Sequence, residues 1–353
     1  MGDDIKARLK TTIPGYEPGM PAHRMDDVTW MDELELMWGR KWGAQSSIGE
    51  LRTVIVHRPG GEELGDEFST DPVYFMNFGK SDAYFDMERK QRQHDEMVAA
   101  LRSEGIEVIH ANFPPTVKSI YTNKGIKSLG AMQACMVDGG AIIGRTAIAG
   151  KRGLERLWTE KLVELGCPIL YSIQGSGIHE PHGNIVFLDP KHCIQATSVR
   201  SNMEGVRQVE PIMRMTGVVE FHVARLPNYL YNMERTGAGY AFHLVNVFSM
   251  VDERLAVIYP GGIDYDTIAY LRSKKIQLIE VPEKEATNMA CNCMAVRPGV
   301  VIMAAGNPTT TAQLRENGVR VVEVQMTETA RFGSGPICQI NPLVRDHGPS
   351  LEG

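Results

Sequence analysis

One pattern recurs five times along this chain and restricts what it can become: a helical stretch ends, and within a few residues a short β-branched run begins. The junctions read SEGIEVIH, ELGCPILY, MTGVVEFHV, SKKIQLIEV and ENGVRVVEV, near residues 105, 166, 217, 274 and 318. Four pass through a glycine, which adopts the left-handed conformation closing a helix C-terminus without a Cβ penalty. They lie roughly 45 to 60 residues apart, the spacing of a repeated structural unit. From Leu51 onward, strands such as LRTVIVHRPGG and IEVIHA alternate with helical segments such as DAYFDMERKQRQHDEMVAALRSEG, which indicates an α/β fold. Five such modules can close in a ring. A doubly wound nucleotide-binding sheet is the competing architecture, but no GxGxxG follows a first strand and no P-loop is present.

Residues 1–50 differ from this body. They carry Pro14, Pro18 and Pro21 and then VTWMDELELMWGRKWG, in which Trp and Met stand beside acids. The expectation is an N-terminal extension over 1–50 serving as a lid or subunit contact, and a single α/β domain over 51–353. A helix packed on its own domain explains the same aromatic spacing.

Composition removes several classes of function. A net charge of -6 with 37 Lys and Arg in 353 residues provides no basic field for nucleic acid or an anionic membrane. No apolar run reaches the ~18 residues of a membrane span, and the start MGDDIKARLK is charged where a signal peptide turns apolar. A cytoplasmic protein is expected. Six irregularly spaced cysteines make neither a disulfide scaffold nor a zinc motif.

Several segments carry chemistry. RFGSGPICQINPLVRD sets Cys338 behind glycines that let backbone amides approach a bound group, and a neighbouring His or cation would favour the thiolate. His243, in GAGYAFHLVNVFSMVDERLAVIYP, stands at the entrance of a strand, where it can take a proton from water or a thiol. HEPHGNIVFLDP places His179, Glu180, His182, Gly183 and Asn184 at the mouth of another strand. Pro181 denies this cluster a helical HExxH spacing, so substrate hydrogen bonding is the preferred reading and no metal is expected. Cys291 and Cys293 in ACNCMAV read as core. Taken singly, Cys338 and His243 also have ordinary structural explanations, as a small buried hydrophobe and a satisfied histidine.

Together these segments resemble the guanidino-group-modifying superfamily, which includes arginine deiminase, dimethylarginine dimethylaminohydrolase and the amidinotransferases. The resemblance runs from about Leu51 to Arg345 through four stretches in order: VIVHRPGGEEL with QHDEMVAALRSEGIEV; DGGAIIGR with KRGLE; HGNIVFLDP with HLVNVFSMVD; and GSGPICQINPLVR. It implies a fivefold pseudo-symmetric α/β propeller, Cys338 as nucleophile, His243 as general acid/base, and no cofactor. Asn77 and Phe78 match a loop that covers the substrate.

Where this chain departs from the family pattern, the substrate comes into question. The family's Arg-Asp pair falls on Ala131 and Met132, its Glu-Gly-Gly-Asp on Pro181, His182, Gly183 and Asn184, and the deiminase Asp on Val245. A slip of one residue would leave Glu180 as a displaced carboxylate. Without carboxylates a buried guanidinium is several kcal/mol unfavourable. The expected partner is therefore a small planar substrate, neutral or weakly anionic, with a leaving group on a carbon between two nitrogens. A 2-nitroimidazole fits, and within the superfamily the chain is most similar to the branch that hydrolyses such rings to imidazol-2-one and nitrite. A guanidino compound held by Glu180, Asp82 or Asp86 is the alternative, and a non-catalytic binding propeller a third reading. A homo-oligomer is compatible with all three.

Overall fold

Each junction is built as a helix that ends in a left-handed residue and feeds a strand. The computed structural model describes residues 30–59, 86–112, 134–146, 152–227, 243–330 and 333–351. The first module runs β1 (Leu51–Val56), α1 (Met87–Ser103) and β2 (Glu107–His110). The second is β3 (Ala134–Val137), β4 (Gly140–Ile143), α2 (Arg152–Glu164) and β5 (Ile169–Ser172); the third is β6 (Ile185–Asp189), β7 (His192–Thr197), α3 (Met203–Met215) and β8 (Glu220–Arg225). The fourth is β9 (Phe248–Asp252), β10 (Leu255–Ile258), α4 (Tyr265–Ser273) and β11 (Gln277–Glu280). The fifth is β12 (Met294–Arg297), β13 (Val300–Ala304), α5 (Pro308–Glu316) and β14 (Arg320–Val324), after which β15 (Asn341–Arg345) ends the repeat.

Glycine or its substitute closes each helix. Gly105, Gly166, Gly217 and Gly318 have φ of 81°, 80°, 99° and 83°. A Cβ at Gly105, Gly217 or Gly318 would meet nothing within 4 Å, so backbone conformation and not crowding selects glycine there. At the fourth junction Lys275 takes the same position with φ 58°, at the steric cost a side chain incurs in that region. Asp86, Asn202 and Asp264 cap the starts of α1, α3 and α4 by accepting from the backbone N–H groups of Arg89, Gly205 and Thr267.

The five modules make five three-stranded sheets of one topology. In each, the middle strand is antiparallel to one neighbour and parallel to the other, and the parallel partner is reached through the helix, as such a connection requires. Four sheets take their antiparallel strand from just upstream, whereas β1 takes β15 from the far end of the chain. The antiparallel outer strands β3 and β6 are buried throughout, while β2 and β5 are half-exposed or exposed along their length. Each sheet thus has an inner and an outer side. Contacts link β15 to β3, β6 to β9, β9 to β12 and β12 to β1, and β3 to the turn that precedes β6.

The stretch before β1 is part of this packing. Trp42 is fully buried, Gly43 bridges Val344 of β15, and Gln45 donates from Nε2 to the carbonyls of Pro190 and Thr216 at 2.8 and 2.9 Å. Among the described residues no helix is long and apolar enough to cross a membrane.

Candidate functional site

Short turns that lead into the inner strands carry the polar residues of the site. Pro181–Asn184 precedes β6, Leu244–Asn246 with His243 as its N-cap precedes β9, Asn292 lies just before β12, and Pro336–Gln339 precedes β15. The extended strand that follows each turn is buried, so the turn is the first point at which a side chain can leave the core. His243, Glu180 and Cys338 are themselves almost fully enclosed, at 1, 2 and 1% exposure.

The imidazole side is built around one carboxylate. His243 Nε2 lies 2.6 Å from Glu180 Oε2, and Thr146 donates its hydroxyl to Glu180 Oε1, also at 2.6 Å. Asn184 ties the two turns together: its Nδ2 donates to the Glu180 carbonyl at 3.2 Å and its Oδ1 accepts from Leu244 N at 3.3 Å. With Nε2 donating to the carboxylate, Nδ1 is the nitrogen that can take up a proton. His179 contacts Ser201 Oγ through Nδ1, and burial pushes its pKa down to about 3, so it stays neutral.

The sulfur side is built from amides and main chain. Asn292 Nδ2 lies 3.3 Å from Cys338 Sγ and donates to Asn246 Oδ1 at 2.8 Å, while Asn292 Oδ1 accepts from Ile337 N at 2.9 Å. Gly335 is required by this approach, since a Cβ there would fall 2.7 Å from Asn292 Oδ1. His182 Nε2 reaches the carbonyls of Ile337 at 2.9 Å and Ile340 at 3.0 Å, on either side of Cys338 in sequence. Enclosure pushes its pKa down to about 4, so a neutral ring whose Nε2–H donates to both carbonyls fits this position. The two sides meet through Asn246 and Asn292, which join Cys338 to the turn begun by His243.

Several expectations are placed by this geometry. Cys338 and His243 fall in turns joined by one hydrogen-bond relay. Glu180 is a partner of His243, and the side chains of His182 and Asn184 hydrogen-bond to the neighbouring turns, with Gly183 buried in the same turn. Asn77, Phe78 and Met132 lie outside the described residues, as does Asp82. Asp86 caps α1. Cys291 and Cys293 are core residues: burial raises the Cys293 thiol to about 12 and the Cys291 thiol well above its ordinary value. Cys135 and Cys167 are likewise raised to about 12. Sequence reasoning missed Asn292, Asn246 and Thr146. The signal for Asn292 was present, because it stands at a strand entrance as His243 does, between two apolar cysteines where a polar residue has no core purpose.

Comparison with known proteins bears on this site. A family profile described as eukaryotic N,N dimethylarginine dimethylhydrolase matches residues 73–345. A 2-nitroimidazole nitrohydrolase from Mycobacterium sp. (strain JS330) is 27% identical over 98% of this chain and 92% of its own length. Among solved structures, the N-terminal domain of ArgZ, a cyanobacterial arginine dihydrolase bound to product, superposes with a TM-score of 0.69 at 17% identity, covering 85% of this chain and 100% of that one. The Pseudomonas aeruginosa dimethylarginine dimethylaminohydrolase complexed with citrulline gives 0.64 at 20% identity, over 83% of this chain and 100% of the other.

Proposed function

The chain is a hydrolase belonging to the N,N dimethylarginine dimethylhydrolase family, and from that membership we propose a cysteine-dependent reaction at a planar, amidine-like carbon, with 2-nitroimidazole as substrate. One observation carries the substrate reading. Each oxygen of Glu180 already accepts one hydrogen bond, from His243 and Thr146, which leaves this carboxylate with only part of its acceptor capacity for a guanidinium. Of the other acids weighed for that task, Asp86 is committed to a helix cap. A neutral or weakly anionic planar ring needs no such anchor. The nitrohydrolase that matches nearly the whole chain supports the same choice.

In the proposed reaction the Cys338 thiol loses its proton through His243 to solvent, which leaves the imidazole neutral, and the thiolate adds to C2 of the ring, forming a C–S bond. Nitrite then leaves with the electron pair of the C–N bond and needs no proton. His243 Nδ1 removes a proton from water, and the hydroxide attacks the same carbon. Glu180 balances the charge on the imidazolium through Nε2. Collapse expels the thiolate and yields imidazol-2-one. Asn292 orients the sulfur through its amide, and His182 fixes the turn that carries it. Asn77 and Phe78 are proposed to help cover the ring, and Met132 to be among the residues that bind it.

The reading includes the architecture. We propose that the five sheets close into a fivefold ring with their inner strands about its axis, which the chain of contacts from β15 through β3, β6, β9 and β12 to β1 supports.

A second reading rests on the family profile itself, a guanidino substrate hydrolysed by the same pair of residues. Wild type and Cys338→Ala are incubated with 2-nitroimidazole, with arginine and with methylated arginines, while nitrite, citrulline, ammonia and protein mass are followed. Nitrite with a transient mass adduct supports the first reading. Citrulline alone supports the second, and full activity in Cys338→Ala removes both.

A further inference from the structure

A cavity of about 60 Å³ lies beside the Cys338 turn. Residues of β3, β6, β9, β12 and β15 line it, so it touches every sheet, and Ile337 and His182 join it to the back of the site. That volume is several times the roughly 10–15 Å³ that one water requires. Most of the wall is apolar, built from such residues as Phe187, Met250 and Met294. Of the polar lining side chains, Ser46, Ser47 and His182 hydrogen-bond to the surrounding main chain, and Arg345 and Ser249 differ from them.

Arg345 is 4% exposed and lines the cavity. A guanidinium has five N–H groups to satisfy. Nη1 donates to the carbonyls of Ser47 at 3.2 Å and Gly49 at 2.8 Å, and Nη2 to Met294 Sδ at 3.2 Å and the Ala295 carbonyl at 2.8 Å. The fifth donor, Nε–H, has no protein partner among the described residues. None of these contacts is a carboxylate, so a full positive charge is enclosed by neutral acceptors. Burial pushes its pKa down to about 9, which leaves it charged at neutral pH. Ser249, 3% exposed and lining the same cavity, likewise has a hydroxyl without a protein partner among the described residues.

We propose that this cavity binds one small monovalent inorganic anion, of halide or nitrite size, between Arg345 and Ser249. Water alone would satisfy the two leftover donors but would not neutralise the guanidinium. A small anion does both, and the neighbouring methyl and thioether groups suit a weakly hydrated ion. The site is distinct from the position proposed for substrate, and it stands whichever substrate the enzyme takes.

Bromide tests this directly. Wild type and Ser249→Val, which removes one donor and fills part of the space, are crystallised and equilibrated in sodium bromide, and anomalous scattering locates bromine. In parallel, thermal melts are recorded as sodium bromide replaces sodium gluconate at constant ionic strength. The expected result is a bromine peak in the wild-type cavity with a saturable rise in Tm, and neither in Ser249→Val. Wild-type density explained by water alone, or an equal rise in Tm in both proteins, overturns the proposal. Arg345→Met is a secondary variant, since Arg345 also binds three carbonyls of the frame.

Discussion

The two sides of the site are held by different physics. On the imidazole side a carboxylate faces the ring directly, and a hydroxyl occupies its other oxygen. On the sulfur side the contacts described come from amides, main chain and a histidine that burial keeps neutral. The division suits the proposed reaction. A ring that must gain and lose a proton needs a fixed counter-charge, and the sulfur, which must bond to carbon and leave again, is oriented by an amide. Asn292 and Asn246 join the two without bringing a second carboxylate between them.

The largest expected effect breaks the comparison outright. Cys338→Ala and His243→Asn should each lower kcat by about 10⁴-fold or more, and the double variant should be no worse than either, because the two act as a unit. Stopped-flow or endpoint product assays measure this; multiplying losses would show that the two sides act independently. Next, Glu180→Gln keeps the shape but removes the counter-charge, with an expected loss of about 10²–10⁴-fold in kcat and a small change in KM. A KM effect alone would move Glu180 to substrate binding.

Asn292→Ala tests the sulfur side. It leaves Ile337 N–H without its acceptor, and chemical denaturation should show a loss of about 1–3 kcal/mol. The rate of Cys338 alkylation by iodoacetamide should change in the same variant, while His243→Asn should leave stability closer to wild type.

Acid should weaken the imidazole side through His179. Its pKa is about 3 in the folded protein against about 6.5 unfolded, so between these values the unfolded chain binds the extra proton. Its contribution is complete above pH 6.5 and is lost as pH falls toward 3, by up to about 1.4 kcal/mol per unit. Urea midpoints at pH 7.5 and 5 should differ less in His179→Asn than in wild type. The smallest effect lies outside both sides and serves as a control. Lys275→Gly should relieve the left-handed strain and stabilise by at most about 1 kcal/mol, and Gly318→Ala should cost about as much, with kcat unchanged in both.

Much of the frame is local and was therefore legible. A left-handed glycine, an Asp or Asn cap and an apolar strand each report on a few neighbouring residues, so the five junctions, their helices and the strands after them follow from short stretches. Cys338 and His243 were legible for the same reason, each beside a strand entrance. The contact between Glu180 and His243 was not. The Glu180 carboxylate is 63 residues from His243, and Asn292 is 46 from Cys338. The last strand pairs with the first across nearly the whole body.

The chain's own sequence thus determined which local units form and which side chains stand at their mouths, because propensity, capping and turn chemistry act over a handful of residues. Only the tertiary structure decided which mouth faces which. Hydrogen bonds between turns depend on how separate sheets pack, and no local pattern encodes that packing. The same holds for Arg345: its sequence neighbours mark it as the end of a strand, and only the assembled core encloses its charge, with no carboxylate beside it among the described residues.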